Sequence, residues 1–188
     1  MNTAAKTNKP TAINATYFLV LFVATISSWL LHELAHWLTG TLLGNKMIMT
    51  FNTSYPASRF YQEAGHSYLV DIAGPLVTLA EAIIVFILMR YRNVKLLYPF
   101  LFVCFYMRLL AACLSFINPN DEARVSKGLG LGTFTLPVLM VGILFFLLYS
   151  TSRRYHFSKK FNLVTLAFII LFSSIIILSD QFLKLTLL

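Results

Sequence analysis

Five long apolar runs dominate the chain, separated by short polar stretches. The first extends from Tyr17 to about Gly44, and the others cover about 69–90, 94–117, 133–152 and 161–179. Each is close to the roughly 20 residues that a helix needs to cross the hydrocarbon core of a bilayer. Residues 1–16, with Lys6, Lys9 and Pro10, read as a disordered tail. Residues 45–68 are mixed and rich in turn formers. Within them Met47 to Thr53 alternates loosely and reads as a short strand, interrupted further on by Tyr55, Pro56, Ser58 and Gly65. The pattern predicts an all-α polytopic membrane protein with about five transmembrane helices. A short extramembrane strand or hairpin loop follows the first. That first run begins like a signal peptide but continues through HELAHWLTGTLLG with no A-x-A cleavage site, so it reads as a retained helix.

Composition agrees. Of 188 residues, 58% are hydrophobic and only 12% charged, with a mean hydropathy of +0.74. A chain this small keeps a large surface-to-volume ratio and cannot bury that much apolar surface in its own core. The excess must face lipid, which makes the bilayer a partner and excludes a soluble enzyme or a disordered chain. The net charge of +8 marks cytoplasmic loops here, with no nucleic-acid partner implied. With five spans, one side of the membrane receives Lys6, Lys9, Arg90, Arg92, Lys95, Arg153, Arg154, Lys159 and Lys160, and no acidic residue. The other side receives five basic residues together with Glu63, Asp71, Asp121, Glu122 and Asp180. The positive-inside rule places the first set, and the N-terminus, in the cytoplasm. Cys104 and Cys113 lie on opposite faces of one apolar segment and cannot bridge within it.

The chemistry-bearing residues begin inside the first run, at His32-Glu33-Leu34-Ala35-His36. Positions i and i+4 share one face of a helix, so the two imidazoles can hold one tetrahedral Zn²⁺. Glu33, beside the first ligand, can take a proton from a water at that metal. Ionisable residues inside a span are costly, and three in metal-site register point to function rather than packing. A catalytic zinc site needs a third protein ligand. The histidines fall toward the outer half of the first helix, so that ligand comes from the outer side: Glu63, His66, Asp71, Asp121, Glu122 or Asp180.

The chain also carries Ala73-Gly74-Pro75-Leu76-Val77 at the start of the second run and Asn118-Pro119-Asn120-Asp121 after the third. HELAH, AGPLV and NPND in this order resemble the site-2 protease family of intramembrane zinc metalloproteases, over roughly residues 17–130. The resemblance implies a single metalloprotease domain, 17–188, with its core at 17–130 and additional helices at 133–152 and 161–179. It implies one Zn²⁺ held by His32, His36 and Asp121, with Glu33 as general base. It also implies a transmembrane protein segment as substrate. The chain departs from the family pattern at two places: Asn120 and Glu122 flank Asp121 where the family commonly has Leu-Asp-Gly, and Thr78 stands where it often has Asn.

Four further expectations follow. Gly74 lets another backbone come close, the HELAH helix being the natural neighbour. The stretch around Met49 offers an edge to which an extended substrate adds as a strand. Asn118 is a candidate donor to the oxyanion. Glu81 and Arg108, each ten residues from the outer end of its own run, sit at matching depth in antiparallel helices and are expected to form an intramembrane ion pair. The expected function is zinc-dependent cleavage of membrane-anchored proteins in a bacterial inner membrane, with specificity coming from the substrate's helix stability, a gating motion or a regulatory membrane partner. The alternative is a proteolytically inactive relative that serves as a membrane scaffold.

Overall fold

The computed structural model describes residues 13–183 and 185–188. Most of the expected N-terminal tail, including Lys6, Lys9 and Pro10, lies outside the described residues, as does Lys184. Six α-helices and one small sheet make up the fold: α1 Ala15–Leu42, β1 Met47–Met49, β2 Ser54–Pro56, α2 Ala64–Arg92, α3 Tyr98–Leu114, α4 Asp121–Gly128, α5 Thr135–Arg154 and α6 Lys159–Leu183. Five of the helices, all but α4, are long and apolar enough to span a membrane. The expected all-α, membrane-spanning architecture with a hairpin after the first helix is therefore the observed one.

Local chemistry sets the ends of these helices. Asn14 caps α1 by accepting from the Tyr17 N–H at 2.9 Å. Asn93, left-handed at φ 55°, ends α2 directly after Arg90 and Arg92, cations that suit the negative end of a helix. α2 starts at Ala64, earlier than the apolar run. Pro75 therefore lies deep inside it and not in the first turn where proline is free of cost. It removes the N–H owed to the Asp71 carbonyl and loosens the turn that holds Val70 and Asp71.

α3 is the central helix. Half of its apolar stretch is buried inside the molecule, against 22% for α6. Leu101, Val103, Cys104 and Met107 of α3 pack with Leu21 and Ala24 of α1, Ala82 and Met89 of α2, Leu144 of α5 and Ile169 of α6. The outer faces stay apolar, with Leu19, Ile84, Phe146 and Leu163 exposed, as lipid requires. Buried hydroxyls tie α1 to α6: Tyr17 Oη lies 2.8 Å from Thr165 Oγ1, and Trp29 Nε1 donates to Ser173 Oγ at 3.3 Å.

The strand is shorter than expected and its edge is not open. β1 pairs antiparallel with β2, Met47 opposite Pro56 and Met49 opposite Ser54. The other side of β1 is taken at Met49: its N–H donates to Leu188 O at 2.9 Å, and its carbonyl accepts from Leu187 N at 2.8 Å. Asp180 of α6 accepts from the Phe51 N–H in the hairpin turn at 3.0 Å. The free edge expected at Met49 is thus filled by the chain itself. The second strand, β2, carries the side chain that reaches the first helix: Ser54 Oγ donates to the Glu33 carbonyl at 2.9 Å.

Candidate metal centre

His32 and His36 project from one face of α1, one turn apart, and both are buried. Their rings meet edge to face with centroids 4.6 Å apart. Asp121, the first residue of α4, comes up beside them. Its Oδ2 lies 3.2 Å from His32 Nε2 and 3.5 Å from His36 Nε2. The two Nε2 atoms are 3.1 Å apart. One ligand atom from each residue thus falls within 4.8 Å of the others, the only such group among the described residues.

The far nitrogen of each ring decides what the near one offers. His36 Nδ1 lies 2.6 Å from the Val70 carbonyl, which only accepts, so Nδ1 carries the proton. His32 Nδ1 lies 3.0 Å from Thr78 Oγ1. That hydroxyl spends its hydrogen on the Gly74 carbonyl at 3.0 Å, so it accepts from His32. In the neutral rings both Nε2 atoms therefore present lone pairs, the form in which imidazole binds a metal. Two lone pairs and a carboxylate oxygen facing one another repel unless positive charge lies among them. Arg108 supplies part of it, 3.3 Å from His32 Nε2 and 3.3 Å from Asp121 Oδ2, while His36 Nε2 faces only His32 and Asp121. The charge balance around the site points the same way. Three carboxylates, Asp71, Asp121 and Glu122, are bonded by two guanidiniums, Arg108 and Arg124. This leaves a formal shortfall of one positive charge, with Glu33, which makes no ion pair among the described residues, left out of the count. The donor set fits a divalent ion that accepts nitrogen and oxygen.

A cavity of about 370 Å³ opens on the cluster. His32, Glu33, His36, Asp121, Arg108 and Arg124 line it, with Asn52, Thr53 and Ser54 of the hairpin on one side and Ile177 and Gln181 of α6 on another. Glu33 is buried in this wall, next to the first histidine.

The alternatives for the third ligand are otherwise engaged. Both oxygens of Asp71 take the Arg124 fork, Nε at 2.8 Å and Nη2 at 2.7 Å. Arg124 Nη2 also donates to Asp121 Oδ1 at 2.9 Å, which leaves Oδ2 for the histidines. Burial works against the charge of Arg124, but the Asp71 carboxylate holds its pKa above the ordinary value. Glu122 pairs with Arg108 at 3.1 Å. Glu63 and His66 face each other at 3.5 Å in the α2 entry, and Asp180 caps the hairpin.

Gly74 sits where its residue type was expected to matter. A Cβ there would lie 2.5 Å from His32 Cε1 and 2.7 Å from His36 Cε1. Only a glycine lets α2 pass this close to the two rings.

Three expectations are corrected. Glu81 and Arg108 do not pair. Glu81 accepts from Ser28 Oγ at 2.7 Å, whereas Arg108 Nη1 donates to Glu122 Oε1 at 3.1 Å and Asp121 Oδ2 at 3.3 Å. α4 folds back and brings two carboxylates to Arg108, which a count of depth along α2 and α3 alone could not register. Asn118 is exposed and lines, with Tyr61, Tyr68 and Pro119, an adjoining opening that shares Ser54, Asp71 and Arg124 with the cavity at the histidines but contains neither histidine. Asn120 lines that cavity and caps α4, accepting from the Asp121 N–H at 3.2 Å. Met49 lies away from the cavity wall, which the hairpin forms with Asn52 to Ser54.

The roles of Thr78 and Arg124 escaped the sequence reading, which met Thr78 only as a departure from the family pattern. Thr78 had a signal, a hydroxyl one helical turn beyond Gly74 in an apolar run. Arg124 had only its i+3 spacing from Asp121. No protein-family model, no curated protein and no solved structure matches the chain.

Proposed function

We propose that the protein is a zinc-dependent intramembrane endopeptidase. The observation that carries the reading is the convergence of His32 Nε2, His36 Nε2 and Asp121 Oδ2 on a cavity whose wall includes Glu33. The HELAH, AGPLV and NPND motifs, which resemble the site-2 proteases, support it.

His32, His36 and Asp121 would hold the metal. Bound there, zinc supplies Lewis acidity toward a carbonyl and toward water. The chain's own residues do the rest. Thr78 and Val70 O fix both rings in the ligating tautomer. The Asp71–Arg124 pair holds Asp121 by its other oxygen. Glu33, buried beside His32, takes the proton of the attacking water and returns it to the leaving amine. α3 and α6 supply walls of the cavity through Leu110, Ala111 and Leu114 and through Ile177 and Gln181. The substrate is a transmembrane segment of a membrane-anchored protein, unwound locally because a helix shields its own peptide bonds. On the positive-inside rule the site faces the outer half of a bacterial inner membrane and the N-terminus is cytoplasmic.

One observation favours a second reading, an inactive membrane scaffold. Arg108 and Arg124 together bond both oxygens of Asp121, which closes the cluster as an ion network.

Metal analysis of the detergent-purified chain separates the two. The protease reading expects about one zinc per chain, lost in His36→Ala and Asp121→Ala and kept in Glu33→Gln. In cells, Glu33→Gln should leave a membrane-anchored protein at full length where the parent yields fragments. A folded parent chain that takes up no metal after zinc is added refutes the protease and leaves the scaffold.

A further inference from the structure

Arg108 is the least expected group at the site. It is a buried guanidinium in the centre of α3, and its three nitrogens have different fates. Nη1 bonds Glu122 and Asp121, at 3.1 Å and 3.3 Å. Nη2 lies 3.3 Å from His32 Nε2. Nε is buried with no partner at all.

The contact with His32 has a strict consequence. The Thr78 hydroxyl accepts from His32 Nδ1, so Nε2 of the neutral ring has one lone pair and no hydrogen. That lone pair can receive an N–H of Arg108 or it can ligate a cation. It cannot do both. Asp121 Oδ2 has lone pairs enough for both partners. His32 is therefore the one atom over which an internal cation and an external one compete.

We propose that Arg108 is a built-in competitor for the metal, released from His32 when the ion enters and retained by Glu122. The inference rests on the metal site proposed above and adds the residue that tunes it. Glu122 is the anchor that makes release possible, because it holds Nη1 without touching any ligand atom. Release turns Nη2 into a free N–H donor in the wall of the cavity. Asn118 was the expected donor to a substrate carbonyl, and it is not in this cavity. Arg108 is, and metal entry hands it that capacity.

The test is zinc affinity, read by chelator competition on the full chain in detergent. Arg108→Gln alone strands the buried Glu122 charge, so the informative variant is the double one, Arg108→Gln with Glu122→Gln. It leaves the net formal charge of the site unchanged, so a difference in affinity reports the loss of the cation beside His32 Nε2 and not a change in total charge. The double variant should bind zinc about tenfold to a hundredfold more tightly than the parent, the size of one hydrogen bond with a charged partner. Arg124→Gln should move affinity the other way, because Arg124 holds Asp121 and touches no histidine. Zinc bound by the double variant and not by the parent also supports the proposal. Parent and double variant binding alike, or the double variant binding more weakly, overturns it while leaving the metal site intact. No zinc on either protein, both folded by circular dichroism, overturns the proposal and the metal site together.

Discussion

Gly74→Ala puts the packing of α2 on the two histidines to a quantitative test. Two effects oppose each other. Alanine is favoured over glycine inside a helix by about 0.8–1.0 kcal/mol. Against this, the new methyl would lie 2.5 Å from His32 Cε1 and 2.7 Å from His36 Cε1. Carbon atoms pack at about 3.5–4.0 Å, so the rings must retreat by about 1 Å. Overpacking of this kind costs about 1–3 kcal/mol, so stability should fall slightly or hold. Metal binding has no such compensation. Ligand distances are tolerated within about 0.2 Å, and a 1 Å retreat also pulls His32 from Thr78 and His36 from Val70 O. Loss of such outer partners alone costs about tenfold to a hundredfold in affinity. Gly74→Ala should therefore lose at least that much zinc affinity by chelator competition, while its thermal midpoint in detergent without metal falls by no more than about 8 °C, the equivalent of a net loss of about 2 kcal/mol. Gly142→Ala is the control, since nothing lies within 4 Å of its added Cβ. It should leave zinc affinity unchanged. A Gly74→Ala protein that binds zinc as tightly as the parent would refute the claim that this glycine sets the spacing of the rings.

Thr78→Val removes the acceptor of His32 Nδ1 at nearly constant volume and should weaken zinc by about tenfold or more, with the fold retained by circular dichroism. Arg108→Ala leaves Glu122 buried and unpaired, a loss of about 3–5 kcal/mol for a broken buried pair. Adding Glu122→Gln should restore much of it in chemical denaturation, and adding Glu81→Ala should restore none. Zinc affinity should fall as the pH is lowered, because both imidazoles must be neutral to ligate and each proton bound competes with the metal. A titration that is flat between neutral and mildly acidic pH would remove the histidines from the ligand set.

The spans were legible because lipid imposes a continuous apolar stretch on every crossing helix, and that demand is written one residue after another. His32, Glu33 and His36 were legible because i, i+4 spacing fixes a face without any knowledge of neighbours. The rest of the site depends on what folds back. α4 is a short polar helix with no apolar period of its own, yet it delivers Asp121, Glu122 and Arg124. Arg108 was assigned to Glu81 by depth, a one-dimensional measure blind to α4. The strand was expected over Met47 to Thr53 and forms only at Met47 to Met49, and its expected free edge is filled because Leu187 and Leu188, far off in the sequence, pair with Met49. Gly74 was recognised as a point of close approach. That it faces imidazoles rather than backbone depends on the rotation of α2, which the pattern does not encode.

The contacts of the last helix set the order in which the molecule can be completed. Ile177 and Gln181 form part of the cavity wall, Asp180 caps the hairpin turn, and Leu187 and Leu188 close the sheet at Met49. A chain emerging from the ribosome inserts α1, with both histidines and Glu33, long before any of these partners exist. Until α6 crosses, one wall of the cavity is missing and the strand beside the site is unsealed. A chain in which only α1 has inserted thus carries the HELAH helix without an enclosed chamber, and the chamber closes only when α6 and the strand-pairing Leu187 and Leu188 dock.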